Sequence, residues 1–186
     1  MSLSLTMAMK KIKVYVDTNI ISGMAKQDFS DEIMHCLNDI LELRKQGKIE
    51  LYLSEVTSEE IERIPEEYRY YHNLIYTLIN NVALKPKSYS NLALSIATRG
   101  LTGGSIGIAT KGLFPAQQKD PLFVEIERII PQKNNTADQK SRLKDIEHLF
   151  QCKKNNLDIF WTEDKKTILK YASGLRKIGI TVMGSL

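Results

Sequence analysis

The chain has 186 residues and a formal net charge of +4, a length that suits one domain with one sizeable core, or a domain carrying a large insertion. Its two cysteines, Cys36 and Cys152, lack C-x-x-C or zinc-type spacing, which argues against a disulfide framework and a structural zinc site and fits a reducing cytoplasm. No stretch is long and apolar enough to span a membrane as a helix.

The opening MSLSLTMAMKK places its lysines after mildly apolar residues, the reverse of a secretory signal. Residues 1–10 are read as a disordered leader to a single domain over 11–186. Ile12 to Val16 is the first predicted strand, rich in β-formers and followed by Thr18 and Asn19, polar residues suited to leaving a sheet. The strand stops on a carboxylate, Asp17. Taken alone, such an acid caps the next turn or helix. Ser30 to Lys48 then reads as a helix, with Ser30 as cap, Asp31 and Glu32 in the first turn, Ile33, Leu37, Ile40 and Leu41 on one face, and Gly47 at its end.

Ile49, Leu51 and Leu53 alternate as a second strand, and Thr57-Ser58-Glu59-Glu60 opens a short helix that Pro65 interrupts. Glu67 to Asn80 is helical, with Tyr71, Leu74, Ile75, Leu78 and Val82 at a spacing that predicts core rather than an aromatic platform for RNA. The segment from about 85 to 135 is read as an extended insertion. Within it, GLTGGSIGIATKG is glycine-rich like a mobile loop, but lacks the order of a phosphate-binding P-loop and follows no clear strand. Asp120-Pro121 starts a helix through Ile130, since proline is tolerated at a first helical position.

Thr136 or Asp138 caps a helix to about Asn155, whose stripe is Leu143, Ile146, Leu149 and Phe150, with Asp145 at the stripe's edge. Leu157 to Trp161 is a short strand, with Trp161 in the core. Lys165 to Ser173 is a helix with Gly174 as its stop, and Ile180 to Met183 a last strand. Strands separated by helical crossovers predict an α/β fold: a central, mainly parallel β-sheet flanked by helices. Ligands of such sheets bind outside the carboxyl ends of the strands.

Asp17, Glu60 and Asp164 each lie at or just past a strand's carboxyl end, and Asp145 sits on the helix leading into the strand before Asp164. Carboxylates gathered at one edge repel one another unless a cation is present, and all-oxygen ligands suit Mg²⁺ or Mn²⁺. From Pro131 onward there are eleven Lys and Arg against six Asp and Glu, and Lys153, Lys154, Lys165 and Lys166 are the candidates to hold a phosphate backbone.

VDTNIISG, the T-x-x-E of Thr57 to Glu60, the D-x-x-H of Asp145 to His148 and the T-x-D of Thr162 to Asp164 resemble, in order and context, the PIN-domain ribonucleases. The resemblance runs from Ile12 to about Met183. It implies a PIN-like three-layer α/β fold and Mg²⁺- or Mn²⁺-dependent cleavage of single-stranded RNA. The metal-holding catalytic acids would be Asp17, Glu60, Asp145 and Asp164, with Asn19 and Thr162 as supporting polar residues. Small bacterial members are often toxins neutralised by an antitoxin; the 85–135 insertion departs from their compact pattern. An antitoxin or other regulatory protein and a homodimer stay open as partners.

Each acid has a plainer reading: a capping box of Thr57 with Glu60, a helix cap at Asp164, and Asp138 in place of Asp145. His148 reads as packing or surface. An aspartyl-phosphate transferase would need D-x-D where this chain has Asp17 and Asn19. A catalytically silent PIN-like module that binds RNA or protein is the remaining alternative.

Overall fold

The computed structural model describes residues 10–89, 92–93, 118–132 and 136–185. The leader up to residue 9 and the glycine-rich stretch lie outside the described residues. A four-stranded, all-parallel sheet has the order β2-β1-β5-β6, formed by β1 (Ile12–Val16), β2 (Ile49–Tyr52), β5 (Ile159–Trp161) and β6 (Val182–Met183). Leu84 extends the β2 edge: its N–H donates to the Leu51 carbonyl at 2.7 Å, and its carbonyl accepts from the Leu53 N–H at 3.1 Å. A separate antiparallel pair joins β3 (Leu92–Ala93) and β4 (Gln118–Lys119).

The alternation of β1 explains the layers. Val14 and Val16 point to one face, where they pack with Ile20 and Ile21 of α1 (Thr18–Lys26), Leu37 of α2 (Asp31–Lys45), Leu51, Ile61 of α3 (Glu55–Glu62) and Trp161. Tyr15 points to the other, onto Phe123 and Ile126 of α5 (Pro121–Ile129), Ile146, Leu149 and Phe150 of α6 (Thr136–Lys154), and Leu175 of α7 (Ala172–Lys177). A side-chain period of two thus builds two apolar layers on one sheet. Each fully buried large aliphatic or aromatic contributes roughly 1.5–3 kcal/mol. Tyr15 stacks on Phe160, centroids 5.2 Å apart.

Helix ends follow local chemistry. Gly47 and Gly179 take positive φ at the ends of α2 and α7. In each case the next N–H reaches back to a carbonyl of the last turn: Lys48 to Leu43 and Ile180 to Leu175, both at 3.0 Å. Gly174 is therefore not the expected stop: it lies inside α7, where a Cβ would meet Ile129 Cγ2 at 3.0 Å. The expected helix from Lys165 is instead turns and a 3₁₀ segment, Leu169–Tyr171, before α7. Helix α5 starts at Asp120-Pro121 as expected, and the structure adds that Asp120 caps it, accepting from the Leu122 N–H at 2.9 Å. Buried Arg142 closes the other end of α5 by donating to the carbonyls of Glu127 and Ile130.

The stripe on α4 (Glu66–Asn80) departs from expectation. Tyr71, Leu74 and Leu78 are exposed (61, 46 and 57%), while Ile75 and Val82 pack on the core. Helical spacing shows that a stripe exists; the elements stacked against it decide how much is covered. Among the described residues no helix is long and apolar enough to cross a membrane.

Burial pushes the Cys152 thiol up to about 12, so it stays protonated and unreactive. At pH 8 a thiol reagent is expected to modify only the half-buried Cys36 in the native protein, and both cysteines after denaturation. Rapid modification of Cys152 in the folded chain would contradict this packing.

Candidate functional site

From β1 the chain moves outward to β2, then returns to add β5 on the other side of β1. The crossovers therefore diverge at the carboxyl ends of β1 and β5 and leave a crevice. Asp17 stands there, 5% exposed, its N–H donating to the Trp161 carbonyl at 3.0 Å. It occupies the N-cap position of α1 but makes no side-chain cap bond. Its Oδ2 instead accepts from the Thr162 hydroxyl at 2.7 Å. That hydroxyl accepts in turn from Asn19 Nδ2 at 2.7 Å and from the Asp164 N–H at 3.1 Å, which fills its hydrogen-bonding capacity. Asn19 Oδ1 completes the link by accepting from the Glu163 N–H at 3.1 Å.

Helix α3 begins earlier than expected, with Ser54 at its N-cap position. Thr57 consequently lies within the helix, fully buried, and its hydroxyl has no partner among the described residues. The Thr57–Glu60 capping box is not formed. Glu60, one turn further on, accepts from His148 Nε2 at 2.8 Å. His148 is 1% exposed; its Nδ1 lies 2.7 Å from the Tyr15 hydroxyl, which also bonds Ser54 Oγ. The Thr18 hydroxyl is 3.2 Å from His148 Nε2.

Electrostatics follow from this packing. Burial pushes His148 down, but the Glu60 hydrogen bond and the charges of Asp17, Glu60 and Asp145 outweigh it and raise its pKa above the ordinary 6.5. When protonated, the imidazolium can donate through both ring N–H groups, toward Glu60 and toward Tyr15, with the Tyr15 hydroxyl also bonded to Ser54. Burial also pushes Glu60 up, yet His148, Thr18 and Lys144 hold it below its usual value. Asp17 goes the other way: burial, reinforced by Glu60, raises it despite help from His148 and Thr162. Burial is thus the dominant influence on Asp17.

Asp17, Glu60, Asp145 and Asp164 line one cleft of about 510 Å³ together with Asn19, and Asp138 is not among its walls. Among the described residues no three His, Cys, Asp or Glu side chains converge on a point as a ready metal cage. Competing bonds are visible: Glu60 is drawn to His148, Asp17 Oδ2 to Thr162, and Asp164 Oδ1 accepts from the N–H groups of Lys166 and Thr167, both at 2.9 Å. Asp164 thus caps a turn with one oxygen, and not the helix that the sequence led one to expect after it. The all-oxygen donor set of these four acids is of the kind that suits a hard divalent cation.

The four lysines separate. Lys165 and Lys166 are exposed in the turn directly after Asp164. Lys153 and Lys154 end α6, about 13 Å along that helix from Asp145, and do not border the cleft. Lys154 Nζ pairs with Asp120 at 2.6 Å, and Lys153 donates to the Gly179 carbonyl at 3.1 Å.

Sequence reasoning missed Tyr15, Thr18 and Ser54 and left His148 to packing. The D-x-x-H spacing was the available signal for His148; the other three carry none beyond strand and turn propensity. Comparison with protein-family models, curated proteins and solved structures finds no match to this chain. The functional reading rests on the residues and their geometry.

A carboxyl raised above its ordinary 3.8 favours the fold when protonated and costs stability as the pH climbs through its raised value. Asp17→Asn is expected to melt several degrees above the parent at pH 7 in EDTA, and to lose that advantage near pH 3.5. Lower stability at pH 7 would mean that the charge is structurally required. His148, also raised, follows the same trend with pH, but its charged form is the stabilising one, so His148→Gln lowers stability: the contribution is full below 6.5 and fades as pH rises through the raised value. The loss, about 1–3 kcal/mol in acid, should shrink in alkaline solution in the same melts.

Proposed function

We propose that the chain is a Mg²⁺- or Mn²⁺-dependent endoribonuclease with a PIN-like version of the three-layer fold, acting on single-stranded RNA. One observation carries the reading: a buried carboxylate at the end of the central strand, not used as a cap, opens on a cleft shared with acids from α3, α6 and the turn after β5. Its support from sequence is the ordered set of short motifs around those same four acids.

Asp17, Glu60, Asp145 and Asp164 would hold the cation, which when bound supplies a lowered water pKa and neutralises charge developing on the phosphodiester. Thr162 and Asn19 fix the Asp17 carboxylate before any ligand arrives, so little reorganisation is needed. His148 holds Glu60 ionised. Lys165 and Lys166 flank Asp164 and meet the sugar–phosphate backbone by charge, without reading bases. Both cysteines are free, which suits a reducing cytoplasm.

A second reading, a silent module that binds RNA without cutting it, is favoured by the His148 imidazole lying where it already balances Glu60. Cleavage of a labelled single-stranded RNA separates the two. Cleavage is expected in Mn²⁺ or Mg²⁺, none in EDTA, and a fall of about two orders of magnitude or more for Asp17→Asn with an unchanged circular dichroism spectrum. Full activity in Asp17→Asn would overturn the mechanism, and binding without cleavage in either metal would establish the silent module.

A further inference from the structure

A second concave site lies on the α6 side of the sheet, toward the start of β1, whereas Asp17 is at that strand's end. It is a cavity of about 330 Å³ whose walls include Lys13, Lys85, Lys87, Lys154, Tyr52 and Tyr89, and it shares no wall residue with the acidic cleft. We infer that this pocket binds a phosphate-bearing anion. The inference stands apart from the nuclease reading and survives or fails without it.

Charge is the first ground. The nearby acids are already engaged: Asp120 by Lys154 at 2.6 Å, Glu50 by Lys11 at 3.2 Å and the Tyr52 hydroxyl at 3.0 Å, Asp158 by Lys10 at 3.4 Å and the Lys13 N–H at 2.8 Å. Lys13 feels both Glu50 and Asp158 at longer range. Among the described residues Lys85 and Lys87 have no acidic partner, and both are exposed at the pocket. An excess of positive charge in a concavity focuses the field on an anion. The carbonyl end of α6 opposes this with about half a negative charge, but Lys153 stands in its last turn, beside the Asp120-paired Lys154.

Preorganisation is the second. The segment bearing Lys85 and Lys87 is clamped to α6 in both directions. Asn155 accepts from the Lys87 N–H at 2.8 Å and donates to its carbonyl at 2.9 Å; Gln151 accepts from the Tyr89 N–H at 3.1 Å and donates to its carbonyl at 2.7 Å. Pro86 removes a further backbone freedom. The two ammonium groups therefore emerge from an ordered backbone, which lowers the entropic cost of binding.

The chemistry fits either a free polyphosphate or nucleotide, or the phosphates of an RNA strand. Calorimetric titration with inorganic pyrophosphate in EDTA tests the shared chemistry. One binding site is expected, with affinity falling steeply with salt and at least tenfold in Lys85→Gln/Lys87→Gln. The charge-matched control Lys45→Gln/Lys48→Gln should change it less than twofold. Competition by a ten-nucleotide single-stranded RNA lacking a terminal phosphate would assign the site to the strand backbone; absence of competition with pyrophosphate still bound would assign it to a free phosphate compound. No pyrophosphate binding, an unchanged affinity in the Lys85/Lys87 pair, or an equal loss in the control would overturn the inference.

Discussion

The hydrogen bond from the Thr162 hydroxyl to the Asp17 carboxylate, 2.7 Å long, is the interaction on which the site's geometry depends. An ionised carboxylate taken out of water is costly unless its oxygens meet donors. Thr162 supplies one, and because the same hydroxyl accepts from Asn19 and the Asp164 amide, it cannot rotate away without breaking three bonds. The ends of β1 and β5, the first turn of α1 and the turn bearing Asp164 are thereby held in one frame. Thr162 supports Asp17 on one side and the backbone of Asp164 on the other.

A second frame meets the first through Tyr15. Its ring belongs to the core, stacked on Phe160, while its hydroxyl bonds His148 and Ser54. Burial keeps that phenol protonated, well above its ordinary range. The position of His148, and through it of Glu60, is therefore set by packing under the sheet rather than by a surface loop. The His148 charge acts on both acids from inside the fold; it outweighs burial at Glu60 and does not at Asp17. Glu60 thus has a partner already in place in His148.

The surface divides the chain's charge in a way that a tally along the sequence hides. Lys165 and Lys166 follow the acidic cleft, whereas Lys154 faces Lys85 and Lys87 at a different concavity. Lysines eleven or twelve positions apart can share a stretch of sequence and serve separate faces. The same holds for α4, whose apolar stripe is half core and half surface.

The sequence by itself determined the first two strands, because the β-forming residues of Ile12–Val16 and Ile49–Leu53 are followed by polar residues suited to leaving a sheet, and it determined where Asp17 would emerge. It also carried the helix stop at Gly47 and the helix start at Asp120-Pro121, which depend only on neighbours in the chain. The start of α3 at Ser54, the place of Gly174 inside α7 and the exposure of Tyr71 escaped it, since each depends on what packs across the chain. Only the tertiary structure decided that His148 would reach Glu60 and Tyr15. That bond spans 88 residues to one partner and 133 to the other, and a local pattern holds no information about a contact made by folding two distant layers onto one strand.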